Sequence, residues 1–147
     1  MDSKLKTDKL TINVGVMELG KIDMLVDNMI YSNRSEFCRI AIRELLEKHT
    51  NDFDNLYNQS KQVQFDNNIR TLGGIGVIRL SKSVLQESFN NLTKVNVMVT
   101  GLLIVDRDIS VELFESTIKK IKVYGKIQAS NTIIEVIKKK EVSDYTS

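Results

Sequence analysis

"KLTINVGVMELGKIDML", residues 9–25, changes period halfway along its length. Leu10, Ile12 and Val14 alternate with polar neighbours, whereas Leu19, Ile22, Leu25 and Val26 recur at three- and four-residue spacing. Alternation suits a strand with one wet face; the longer period suits a helix with one buried stripe. We therefore expect a strand over residues 9–16 and a helix over residues 17–31. A lone terminal strand satisfies neither its backbone nor its apolar side.

The next stretch, "YSNRSEF" at residues 31–37, supplies helix-capping side chains at Ser32, Asn33 and Ser35, with Glu36 suited to the positive end of a new helix. That helix is expected over residues 33–50, with Phe37, Cys38, Ala41, Ile42, Leu45 and Leu46 along one stripe. Strand, helix, turn and helix make a compact order whose single strand lacks a neighbour. Intertwining with a second copy resolves this: two strands form an antiparallel ribbon, and four helices cover its apolar face. An obligate homodimer follows. Residues 1–8 read as an arm carrying Lys4 and Lys6.

Beyond this block, residues 51–71 read as a linker or helix extension, with Phe53, Leu56 and Tyr57 adding a turn or so to the second helix. Residues 72–147 show an apparent internal repeat. Gly76, Gly101 and Gly125 are spaced by 25 and then 24 residues, and at these offsets Val84 matches Ile109, Phe89 matches Phe114, Val97 matches Ile121 and Val99 matches Val123. Each unit reads as strand, helix, strand, with Ser81 or Asp106 starting the helix. Either the units are true repeats stacked on one another, or they are two similar β-α units of an ordinary α+β domain. In both cases the fold class is α+β, with a small C-terminal α/β domain of two to three short strand-helix-strand units.

The chain has 147 residues, enough for one ordinary domain or two small ones. No apolar run reaches the roughly 18 residues of a membrane helix, and no signal-peptide pattern opens the chain. The single cysteine, Cys38, makes no internal disulfide and fits a cytoplasmic location. With one histidine and one cysteine, a conventional zinc or nickel site within one chain is excluded, and no metal or cofactor is expected. Net charge is +2. Residues 1–50 carry eight basic and eight acidic side chains, whereas residues 68–147 carry twelve and eight. A nucleic-acid partner must therefore be argued from geometry.

The first block resembles the ribbon-helix-helix DNA-binding proteins of the CopG/MetJ/Arc superfamily. "KLTINV" is similar to the family's ribbon strand, and "NRSEFCRIAIRELL" to its Arg-Ser-Glu-Phe-x-Arg-x-Ala-Ile-Arg run. The resemblance covers residues 9–50, and the whole chain looks like the longer two-domain members. Nickel-responsive repressors share that layout, but nothing after residue 50 offers their nickel ligands. The resemblance implies a sequence-specific transcriptional regulator of double-stranded DNA. Residues 1–50 would bind DNA and dimerise, and residues 72–147 would oligomerise or sense a signal.

Geometry agrees. The B-DNA major groove is about 12 Å wide and admits a two-stranded ribbon. Lys9, Thr11 and Asn13 share the polar side of the strand and are the expected base readers: lysine suits guanine, asparagine adenine, and threonine offers a hydroxyl and a methyl. Ser32, Asn33, Arg34 and Ser35 at a helix start are the expected phosphate contacts, with Lys4 and Lys6 adding to them. Each has a plainer structural role: Thr11 and Asn13 on a solvated strand face, Ser32 or Asn33 as a simple cap. Lys119, Lys120 and Lys122, like Lys138–Lys140, read as solvated faces unless the two clusters converge. The alternative function is an antitoxin- or partition-type protein whose C-terminal domain binds another protein. "GGIG" at residues 73–76 lacks the context of a nucleotide fingerprint, and no nucleophile–base pair is evident, so no enzyme activity or catalytic residue is expected.

Overall fold

The computed structural model describes residues 7–62 and 68–143 and divides the chain into two compact units, residues 1–53 and 54–147. The first unit holds helices α1 (Val16–Asp27) and α2 (Arg34–Lys48). A further helix, α3 (Thr50–Gln62), straddles the division, so the residues read as linker are helical for another three turns. The junction is local: His49 caps α2, its carbonyl accepts from the Phe53 amide, and its Nδ1 lies 2.6 Å from an Asp52 carboxylate oxygen. One helix thus stops and the next starts on the same residue.

Helix α1 ends at Asp27, four residues earlier than expected. Met29 takes a left-handed φ of 58°, its amide donates to the Val26 carbonyl, and the Ile30 amide donates to the Leu25 carbonyl. This is the Schellman termination, usually built on glycine. Asn28 reinforces it by donating its side-chain amide to the Met24 carbonyl at 2.7 Å. The expected strand over residues 9–16 is not formed in the single chain: residues 7–15 carry no ladder, and Val16 already belongs to α1. A strand exists only through its neighbour's hydrogen bonds, and the neighbour proposed from the sequence is a second copy.

The second unit adds β1 (Ile69–Leu80), α4 (Lys82–Asn90), β2 (Lys94–Val105), α5 (Val111–Thr117), β3 (Ile118–Gln128) and α6 (Asn131–Ser143). The strands are parallel in the order β1-β2-β3. The glycine spacing has a structural meaning, since Gly76, Gly101 and Gly125 stand opposite one another in register, as do Val97 with Ile121 and Val99 with Val123. The short strands expected on either side of each glycine are instead one long strand running through it. Gly101 and Gly125 have φ of 132° and 133°, and a Cβ on either would collide with the carbonyl oxygen of the neighbouring strand's glycine. The row therefore permits a close approach without breaking pairing.

Helices α4, α5 and α6 lie side by side over one face of the sheet. The core there comprises Val95, Val97, Val99, Leu103 and Val105 of β2, Ile118 and Ile121 of β3, and Leu85, Phe114, Ile133 and Ile137 of the helices. Ser81 and Ser110 stand at the N-cap positions of α4 and α5; the Ser110 hydroxyl accepts from the Leu113 amide at 3.2 Å, whereas the Ser81 hydroxyl makes no capping hydrogen bond. Asp106 does not start α5, because its carboxylate instead accepts from Arg79 Nε at 2.7 Å. On the other face, Ile75, Val77 and Tyr124 are more than half exposed. The Tyr57 hydroxyl reaches this side, donating to the Gly74 carbonyl at 2.9 Å and sharing a hydrogen bond with the Thr100 hydroxyl at 2.7 Å.

Candidate nucleic-acid interface

No described residue of the first unit is buried. Leu10 is 73% exposed, Ile12 56%, Leu45 57% and Leu46 52%, alongside Val16, Met17, Met24, Ile30 and Ile42. The single chain thus leaves an apolar stripe exposed on a strand-length segment and on two helices, the kind of surface that marks an interaction site. Its position matches the side of residues 9–16 opposite Lys9, Thr11 and Asn13. Those three side chains are exposed and stand at alternate positions. Lys4 and Lys6 lie outside the described residues.

The turn into α2 is built in detail. Asn33 is the cap, and its side-chain oxygen accepts from the Glu36 amide at 2.9 Å. The Glu36 carboxylate reaches back to accept from the Ser32 amide at 2.7 Å, and these hydrogen bonds from Ser32 hold its carboxyl below the usual range. The amides of Arg34 and Ser35 remain at the helix mouth, where no intrahelical acceptor exists. Tyr31 and Phe37 pack edge to face across the turn, with centroids 5.1 Å apart.

Arg34 does not point freely into solvent. Its guanidinium makes a two-pronged contact with Asp23 of α1, Nε to Oδ1 at 2.6 Å and Nη2 to Oδ2 at 2.7 Å. Hydrogen bonding in this pair lowers the Asp23 pKa and raises that of Arg34. Asp23 was not singled out from the sequence, since it lies eleven residues away on another helix and only the α1–α2 packing brings it near. The pair ties the start of α2 to α1. Cys38 is half-buried rather than fully buried in the single chain.

Open α/β sheets bind ligands where strand order reverses at the carboxyl ends, and the order β1-β2-β3 has no reversal. Among the described residues, no three His, Cys, Asp or Glu side chains cluster as a metal site requires, and no helix is long and apolar enough to cross a membrane.

Comparison with curated proteins and with solved structures gives no match. The family profile of the Ribbon-Helix-Helix transcriptional regulators matches residues 5–134, spanning both units rather than the first alone. The helical unit and the sheet-bearing unit are thus parts of one family pattern, and the chain belongs to the ribbon-helix-helix transcriptional regulator family.

Proposed function

We propose that the protein is a sequence-specific double-stranded-DNA-binding transcriptional regulator, acting as a homodimer or higher oligomer with its β-ribbon in the major groove. The observation that carries this reading is the exposed apolar stripe of the first unit. Among the described residues Leu10, Ile12 and Val14 stay exposed, and helices α1 and α2 bury no residue. A second copy related by a two-fold axis supplies the absent strand and the absent helices together. The polar side of the resulting ribbon then presents Lys9, Thr11 and Asn13 twice within one stretch of groove.

Ser32, Asn33, Arg34 and Ser35 serve as the phosphate clamp on each side. Asn33 caps the helix and leaves the Arg34 and Ser35 amides for a phosphate oxygen, and the dipole of the fifteen-residue α2 favours the anion. Arg34 takes part either from its place beside Asp23 or by exchanging that carboxylate for phosphate. Lys4 and Lys6 contribute charge from the arm. The second unit associates dimers through its open sheet face, where Ile75, Val77 and Tyr124 are exposed. Pairing two dimers would link two half-sites by effective concentration. The antitoxin alternative is disfavoured because the second unit has its own folded core, whereas toxin-docking tails gain structure from their partner.

Selection of binding sites from random duplex by the purified protein tests the proposal. Recovery of a short palindromic site is the expected result. Enrichment of no sequence, or of a single-stranded ligand, would refute it.

A further inference from the structure

The guanidinium of Arg34 is only partly spent on Asp23. Its Nε–H goes to Asp23 Oδ1 at 2.6 Å and one Nη2–H to Oδ2 at 2.7 Å, so both carboxylate oxygens accept. A guanidinium carries further donors in the same plane. Both N–H groups on Nη1 and the second on Nη2 have no partner among the described residues. The side chains stay open to solvent, 59% exposed for Arg34 and 40% for Asp23, so a ligand can reach the donors that are left.

An exposed ion pair contributes little to stability, and holding the fold together is a poor account of this one. What it does set is the direction of a side chain. Arg34 is the first residue of α2, and Asp23 lies one turn before the end of α1. An arginine left alone there would sample many rotamers. Two parallel hydrogen bonds to one carboxylate hold the planar fork in a single orientation. Glu36, the acid inside the turn, does not compete for it, because its carboxylate accepts from the Ser32 amide. Among the described residues, Asp23 is the one acid whose hydrogen bond and charge raise the Arg34 pKa.

We propose that Asp23 is a positioning residue for DNA binding: it grips the Arg34 guanidinium through two donors and leaves the others aimed at a backbone phosphate. The inference rests on the reading of Arg34 as a phosphate contact. Of the two ways given above for Arg34 to take part, it selects the one in which the carboxylate is kept. A side chain already held gives up less freedom on binding. Repulsion between Asp23 and the phosphate opposes this, but the guanidinium stands between the two anions, and salt screens exposed charges over about 8 Å. A carboxylate near a polyanion ordinarily weakens binding, so that deleting it helps. Deleting Asp23 should instead hurt.

The test is a double-mutant cycle on the full chain with D23A, R34Q and the two together, titrated with mixed-sequence duplex at several salt concentrations. Asp23→Ala should weaken binding to every duplex roughly three- to tenfold, the scale of a charge-assisted hydrogen bond, and should lower the salt slope. In the R34Q background the same change should cost nothing further, which a merely structural role for Asp23 would not allow. Should D23A not sediment as the intact protein does, D23N replaces it in the cycle, with a smaller loss of the same sign. Unchanged or tighter binding without the carboxylate, or an equal loss in the R34Q background, would overturn the proposal. If R34Q weakens all duplexes while D23A does not, only the positioning role falls and the phosphate contact stands. If R34Q binds every duplex as the intact protein does, the reading of Arg34 falls, and the proposal with it.

Discussion

The two units solve the same problem in opposite ways. The second unit closes its own core: Leu85, Val95, Val99, Leu103, Phe114 and Ile137 are all fully buried within one chain. The first has regular helices, a built cap and a two-pronged ion pair, yet buries none of its described residues. Local structure there is specified by the chain itself, and in the proposed dimer a second copy supplies the packing. Secondary structure and tertiary stability are therefore separable here, and in the first unit stability should depend on protein concentration.

The largest expected effect is on that dependence. In the proposed dimer, Ile12→Asp would place a carboxylate in the apolar seam of both copies. Burying an isoleucine side chain contributes about 1.5–3 kcal/mol, so the dimer loses two such terms before the carboxylates' desolvation is counted. Sedimentation should show dissociation of the first unit's dimer at micromolar concentration, with the far-UV signal of the second unit retained. Leu103→Ala should do the converse. It should cost about 2–5 kcal/mol, seen as a lower denaturant midpoint for the second unit that does not shift with protein concentration. If both variants behave alike, the contrast between the units is false.

Gly101→Ala sharpens the comparison within the sheet. The positive φ and the collision with the Gly76 carbonyl together should cost at least about 1–3 kcal/mol, measured by denaturant unfolding of the second unit. Asn13→Ala should weaken the selected duplex by about 1–3 kcal/mol and relax specificity, while leaving thermal stability unchanged; titration against selected and scrambled duplexes reads both.

The smallest effect is on pH. Asp23 and Glu36 have folded-state pKa values below their ordinary 3.8 and 4.5. Their contribution is present above those values and is lost as pH falls through the lowered ones. The first unit should therefore lose stability below about pH 4. Asp23→Asn should remove part of that acid sensitivity, a shift readable by thermal melts from pH 3 to pH 6 (about the range where carboxylates titrate).

What the sequence disclosed follows the same division. Periods of two and of three to four marked the first block, and the Asn33 cap was legible because capping depends on one side chain and its neighbours. The register of Val97 with Ile121 and Val99 with Val123 was legible from spacing, since parallel strands of equal units align equal offsets. The continuity of the long strands was not, because glycine ordinarily interrupts a strand, whereas here it allows two backbones to approach. Helix α3 was hidden by its polar stretch, in which few apolar positions betray a period. Of the proposed contact residues, the partnership of Arg34 with Asp23 was invisible because it depends on how two helices pack. The early end of α1 was equally obscure, since Met29 occupies a left-handed position that usually calls for glycine.

Hydrogen exchange at the amides of residues 9–15 in the intact protein asks most directly whether two copies share a ribbon. Within one chain these amides have no ladder partner. Paired strands should protect alternate amides, with exchange slowing as protein concentration rises. Exchange of all of them at free-peptide rates, at every concentration, would contradict the ribbon and the DNA-binding reading built on it.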